Sequence, residues 1–153
     1  MKEYLFLYKE FNDRYYNLEK YSLSSLRYLR TYFSSDYRYY DENLFIKDQS
    51  HYNETIIVND LENRNFYIVV KDFDIENHIP DDDRHALTNE FNSCKISHDN
   101  FIEFRKKWLA IKEMLPPFAI IYRDDLDWIY CKGFNTQAEM ELFVRDYQPE
   151  ATH

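Results

Sequence analysis

A single glycine, Gly133, occurs among 153 residues. Glycine supplies the positive-φ positions of tight turns and lets a backbone loop approach phosphate closely, so its near absence removes the Gly-rich cradles of nucleotide-binding folds. It also removes the usual punctuation. With only four prolines besides, element boundaries have to be read from hydrophobic periodicity and from Asn/Asp clusters.

That periodicity gives both strands and helices. Tyr4 to Tyr8 reads as a strand, and Phe11, Tyr15 and Leu18 then recur at helical spacing. Ser22 is placed to cap a helix over about 23–34, with Leu23, Leu26, Leu29 and Phe33 facing the core. The β-branched and aromatic runs 54–59 and 66–71 flank the polar segment 60–65 and form a hairpin. A second hairpin joins 118–122 to 128–131 through the turn Arg123-Asp124-Asp125-Leu126-Asp127. Between them Phe101, Phe104, Trp108, Ile111 and Leu115 fall on one helical stripe, capped by Ser97 or Asp99 and ended by Pro116-Pro117. The capping box Thr136-Gln137-Ala138-Glu139 opens a last helix, whose buried face is Met140, Phe143, Val144 and Tyr147 and which stops by Pro149. The expected class is therefore α+β: one antiparallel sheet of four to five strands, made of two hairpins and an N-terminal strand, covered by about three helices.

Residues 1–153 are too few for two independent cores, and the 44% apolar and 19% aromatic content is enough to bury one, so a single domain is expected. No apolar window of about 18 residues is present, and the apolar run near Met1 is too short for a signal peptide, which points to a cytoplasmic protein with no membrane span. Cys94, in a polar loop, and Cys131, in an apolar strand pattern, form no CxxC and are expected to be reduced, with Cys131 a small core residue.

Charge excludes more than it identifies. A formal net charge of −9 opposes adhesion to nucleic acid or anionic lipid. It is unevenly spread: residues 14–40 carry five bases and two acids, residues 41–103 five bases and fifteen acids. In the basic stretch Arg27, Arg30 and Arg38 alternate with Tyr28, Tyr32, Tyr37, Tyr39 and Tyr40, planes that could stack on bases or hold an acidic protein in an adaptor. The tract 71–85 contains Asp72, Asp74, Glu76, His78, Asp81, Asp82, Asp83 and His85, which offers a small metal-dependent hydrolase an alternative site. Its spacing matches no metal loop: the sharp-turn Gly and closing Glu of a calcium loop are missing, and no Lys follows at the offset a metal nuclease needs. No nucleophile elbow, HExxH or phosphate loop occurs, so no catalytic residue, metal or cofactor is assigned.

Two acidic groups remain as contact surfaces. One is Asp72, Asp74, Glu76, Asp81, Asp82 and Asp83. The other is the hairpin turn with Asp124, Asp125 and Asp127 beside Trp128, where charge would steer a basic partner and an aromatic would anchor it. In acidity, size and lack of catalytic motifs the chain resembles the immunity proteins of bacterial toxin/immunity systems of the contact-dependent growth inhibition type. Those families differ in fold, so the resemblance implies no topology. It implies a cytoplasmic inhibitor whose partner is a basic toxin C-terminal domain, frequently a nuclease, with no direct nucleic-acid contact and no bond made or broken.

Overall fold

The computed structural model describes residues 1–71 and 92–149. Among them eight strands form two four-stranded antiparallel sheets, accompanied by three α-helices. The class is α+β, with the two expected hairpins divided between the sheets instead of sharing one. The first sheet has the order β2-β1-β7-β8, from β1 (Glu3–Lys9), β2 (Tyr15–Asn17), β7 (Phe118–Arg123) and β8 (Ile129–Phe134). The second has the order β3-β4-β5-β6, from β3 (Gln49–His51), β4 (Thr55–Asp60), β5 (Asn65–Val70) and β6 (Cys94–Ser97).

Register decides which side chains meet. Pairing of Leu5 with Ile121 and Leu7 with Ala119 puts these four on one face of the first sheet, and pairing of Phe66 with Ile96 does the same in the second. All of them join one buried cluster with Leu26 and Leu29 of α1 (Leu26–Thr31) and Phe101, Phe104 and Trp108 of α2 (His98–Met114). The opposite face of the first sheet is covered by α3 (Gln137–Arg145), where Met140 packs on Ile120 and Tyr122.

Both later helices keep their sequence signals. Ser97, not Asp99, caps α2, its Oγ accepting from the Asn100 amide at 3.1 Å. At the other end Leu115 takes a left-handed conformation, φ 51°, because the residue before Pro116 is steered out of the right-handed helix and no glycine stands there. Thr136 caps α3 through the Glu139 amide at 3.1 Å.

The first forty residues depart from expectation. Phe11, Tyr15 and Leu18 are not on a helix: Asp13, φ 62°, turns the chain back so that β2 satisfies the free edge of β1, Leu7 opposite Asn17. Tyr15 still reaches the core, edge-on to Trp108 at 5.5 Å between ring centres. The helix expected over 23–34 is shortened to α1: the Ser22 hydroxyl accepts from the Ser24 amide in the preceding turn instead of capping α1, and Ser24 and Ser25 donate their hydroxyls to Glu3. Leu23 consequently points to solvent, 91% exposed, instead of into the core. Past Thr31 the helix widens into a π turn over Tyr32–Asp36, and the Phe33 carbonyl accepts from Trp108 Nε1 at 3.0 Å. Asp36 at its end is fully buried and accepts from the Glu54 amide and the Thr55 hydroxyl, which ties this segment to the start of β4. Cys94 is a correction of another kind: it lies in β6, not in a loop, and is fully buried.

Candidate functional site

The acidic turn between β7 and β8 sorts its carboxylates by role. Asp124 is 8% exposed; one oxygen accepts from the amides of Leu126 and Trp128 at 2.9 and 3.0 Å, the other from the Tyr130 hydroxyl at 3.2 Å. It is the internal acceptor around which the turn closes. Asp125 and Asp127 point outward. Asp125 contacts the Met1 amine at 3.1 Å and Asp127 the Lys2 ammonium at 2.6 Å. The hydrogen bond from Lys2 holds the Asp127 carboxyl below its usual range. Leu126 stands between them 75% exposed, and Trp128 is half-buried.

Directly beneath the turn the two sheets are bridged by Arg123. Its Nε donates to Glu3 at 2.9 Å, and Nη1 donates to the carbonyls of Lys95 and Asp127 at 3.1 and 3.2 Å. Glu3 also accepts from the Ser24 and Ser25 hydroxyls, both at 2.9 Å. Burial pushes the Glu3 carboxyl up, but the bonds from Arg123, Ser25 and Ser24 outweigh it and leave it below the usual carboxylate range. This network forms the floor of a groove of about 700 Å³ between the sheets. Lys95 and Ser97 of β6 lie along one side, Leu126, Asp127 and Trp128 along the other, with Leu23 at the rim. Two of its ionic pairs are matched locally, Arg123 with Glu3 and Lys2 with Asp127, and Leu23 and Leu126 are its exposed apolar groups.

The other sequence candidates fare differently. Asp72, Asp74, Glu76, Asp81, Asp82 and Asp83, with His78 and His85, lie outside the described residues. Among the described residues no three His, Cys, Asp or Glu side chains converge as a metal-ligating group. The Arg/Tyr stretch is largely turned inward. Tyr32 is fully buried, Tyr28, Tyr37 and Tyr40 pack against the core, and Arg27 lies over the Tyr28 ring at 4.5 Å; Arg38 and Tyr39 are exposed. Burial raises the thiol pKa of Cys94 to about 11 and pushes Cys131 up as well, which keeps both protonated at neutral pH.

Sequence reasoning missed the groove because β6 reads as a short polar segment and Leu23 as a core residue. One signal was present: Leu126 is the lone apolar residue in a polar turn, a position where burial in the monomer is hard to arrange. No helix among the described residues is long and apolar enough to cross a membrane. Comparison with protein-family models, with curated proteins and with solved structures returned no match to this chain.

Proposed function

We propose that this chain is a protein-binding inhibitor of the immunity-protein type, acting without catalysis in the bacterial cytoplasm, and that its partner is a basic toxin domain, with a nuclease the kind best matched to an acidic mimic of a polyanion. The observation that carries this reading is the groove rim. Leu23 and Leu126, 91% and 75% exposed, stand beside the half-buried Trp128 and the outward carboxylates of Asp125 and Asp127. Apolar and aromatic side chains ringed by charge are the anatomy of an interface centre, where desolvated apolar anchors supply lasting affinity and charge supplies encounter rate. The net charge of −9 extends the steering beyond the groove. Asp124 supports the site indirectly, by holding the turn that displays Leu126.

Co-purification with a cationic toxin domain encoded beside this chain's own gene tests the reading. Leu23→Ser with Leu126→Ser is expected to weaken the complex at least about tenfold with little change in melting temperature, since both side chains are already solvated. Asp125→Asn with Asp127→Asn is expected to slow association and flatten its salt dependence. A complex indifferent to both pairs removes the groove as the docking site; absence of any complex removes the inhibitor reading.

A further inference from the structure

His98 is the first residue of α2 and is 4% exposed, its ring packed against those of Phe66 and Phe45 at 4.3 and 5.4 Å. Its Nε2 lies 2.7 Å from Asn59 Oδ1. The Asn59 amide is oriented by what it donates to: Nδ2 bonds the carbonyls of Leu44 and Lys47 at 3.2 and 2.9 Å. Oδ1 therefore accepts, and His98 Nε2 carries the hydrogen. One neutral imidazole thus joins three elements: α2 by its own backbone, β4 through Asn59, and the turn 44–47 through the carbonyls that Asn59 holds.

A second proton has no good place in this arrangement. It would add a unit charge to a ring shielded from water, at the positive end of a helix of 17 residues. The charged groups around the ring come from each packed element. Arg64, in the turn before β5, opposes protonation, while Asp60 of β4 and Asp99 of α2 favour it; the segment bearing Phe45 carries Glu42, Lys47 and Asp48, and β6 carries Lys95. Burial and Arg64 prevail, so the ring's pKa lies below the ordinary 6.5.

We propose that His98 is an acid-sensitive latch: neutral, it fastens the turn 44–47 and the start of α2 to β4, and protonated, it leaves its place against Phe66 and Phe45 and releases that turn. The sign follows from linkage. A histidine whose pKa is lowered in the closed state binds the proton more strongly when open, so closure is full above pH 6.5 and weakens as pH falls below it. The opening is expected to be local, because the ring's aromatic contacts are with Phe66, at the second-sheet end of the shared core, and with Phe45, which packs against that core. It loosens a surface on which Ile46 is already 72% exposed, next to Ser97 on one side of the groove, and the inference does not rest on the proposed function.

Amide hydrogen exchange on the whole chain tests the latch, with protection factors corrected for intrinsic rates at pH 7.5 and pH 5.5. The amides of Lys47, Asn59 and His98, bonded to Asn43, Asp48 and Arg64, report the joint; those of Leu5 and Ile121 report the first sheet. Joint protection is expected to fall roughly three- to tenfold at the lower pH, the ceiling of about tenfold being what one proton can contribute one unit below 6.5. The first sheet is expected to change little, and His98→Gln, which keeps a donor toward Asn59 but cannot be protonated, is expected to lose the response. Unchanged protection, an equal loss in both regions, or the same response in His98→Gln overturns the proposal. Should that variant not fold, the wild-type ring titration followed by NMR decides: a midpoint below 6.5 shared by the shifts of Leu44 to Lys47 supports the latch, and a midpoint at or above 6.5 overturns it.

Discussion

The β4–β5 turn and the β7–β8 turn are built from the same parts. Each begins with an aspartate that accepts backbone hydrogen bonds, Asp60 from Asn63 and Asp124 from Leu126 and Trp128. Each closes through a non-glycine residue in the left-handed region, Arg64 at φ 56° and Asp127 at φ 70°. They differ in where they stand. The first projects into water, whereas the second is set over the Glu3–Arg123 network, and its leading carboxylate is buried and shared among three donors. An aspartate in a turn is therefore not by itself a docking charge: burial separates the structural acid, Asp124, from the outward Asp125 and Asp127.

The largest contrast is expected from removing the two leading acids. Asp124→Ala strands two amides and a hydroxyl near the interior and is expected to cost about 2–4 kcal/mol in urea unfolding, while Asp60→Ala costs under about 1 kcal/mol. Equal losses would break the comparison. Next comes Gly133, whose added Cβ would stand 2.5 Å from Pro116 Cγ. Gly133→Ala is expected to cost about 1–3 kcal/mol, because the proline ring cannot swing aside and β8 or the chain after α2 must shift.

Acid titration sharpens the contrast further. A carboxyl held below its usual value contributes stability that is complete above the unfolded value of 4.5 and is lost as pH falls below it through the folded value. Loss of stability below pH 4.5 should thus be shallower in Glu3→Gln than in the wild type when followed by thermal melting at stepped pH. The smallest effects belong to the left-handed positions. Arg64→Gly is expected to gain about 0.5–1 kcal/mol, and Asp127→Gly less than about 0.5 kcal/mol, because aspartate tolerates that region better than arginine and loses its pair with Lys2.

Much of the fold was legible where a periodic stripe was long or a cap was explicit. Four of the five stripe residues, Phe101, Phe104, Trp108 and Ile111, are buried in the helix as read, while Leu115 becomes its left-handed cap. Of the Thr136 box the bond from the Glu139 amide to the Thr136 hydroxyl is present; side chains in register and a hydroxyl aimed at an amide act locally and need no distant partner. The short strands β2, β3 and β6 were not legible: Tyr15–Asn17, Gln49–His51 and Cys94–Ser97 hold too few residues for a period, and their pairing is imposed by the neighbouring strand. The candidate site was legible only in part. Asp124 to Trp128 is contiguous and announced itself as a turn, but the groove needs Leu23 and β6, which only packing brings beside it.

The sequence alone determined the α+β class, the two hairpins, the two capped helices and a net negative charge, because each follows from residues close together in the chain or from a plain count. Tertiary structure decided how the strands are divided between two sheets, which carboxylates face inward, and that His98 closes a three-way joint. The reason is physical: propensity and capping act over a few residues, whereas burial depends on partners far along the chain, and burial is what changes a polar side chain from a solvated charge into a structural bond.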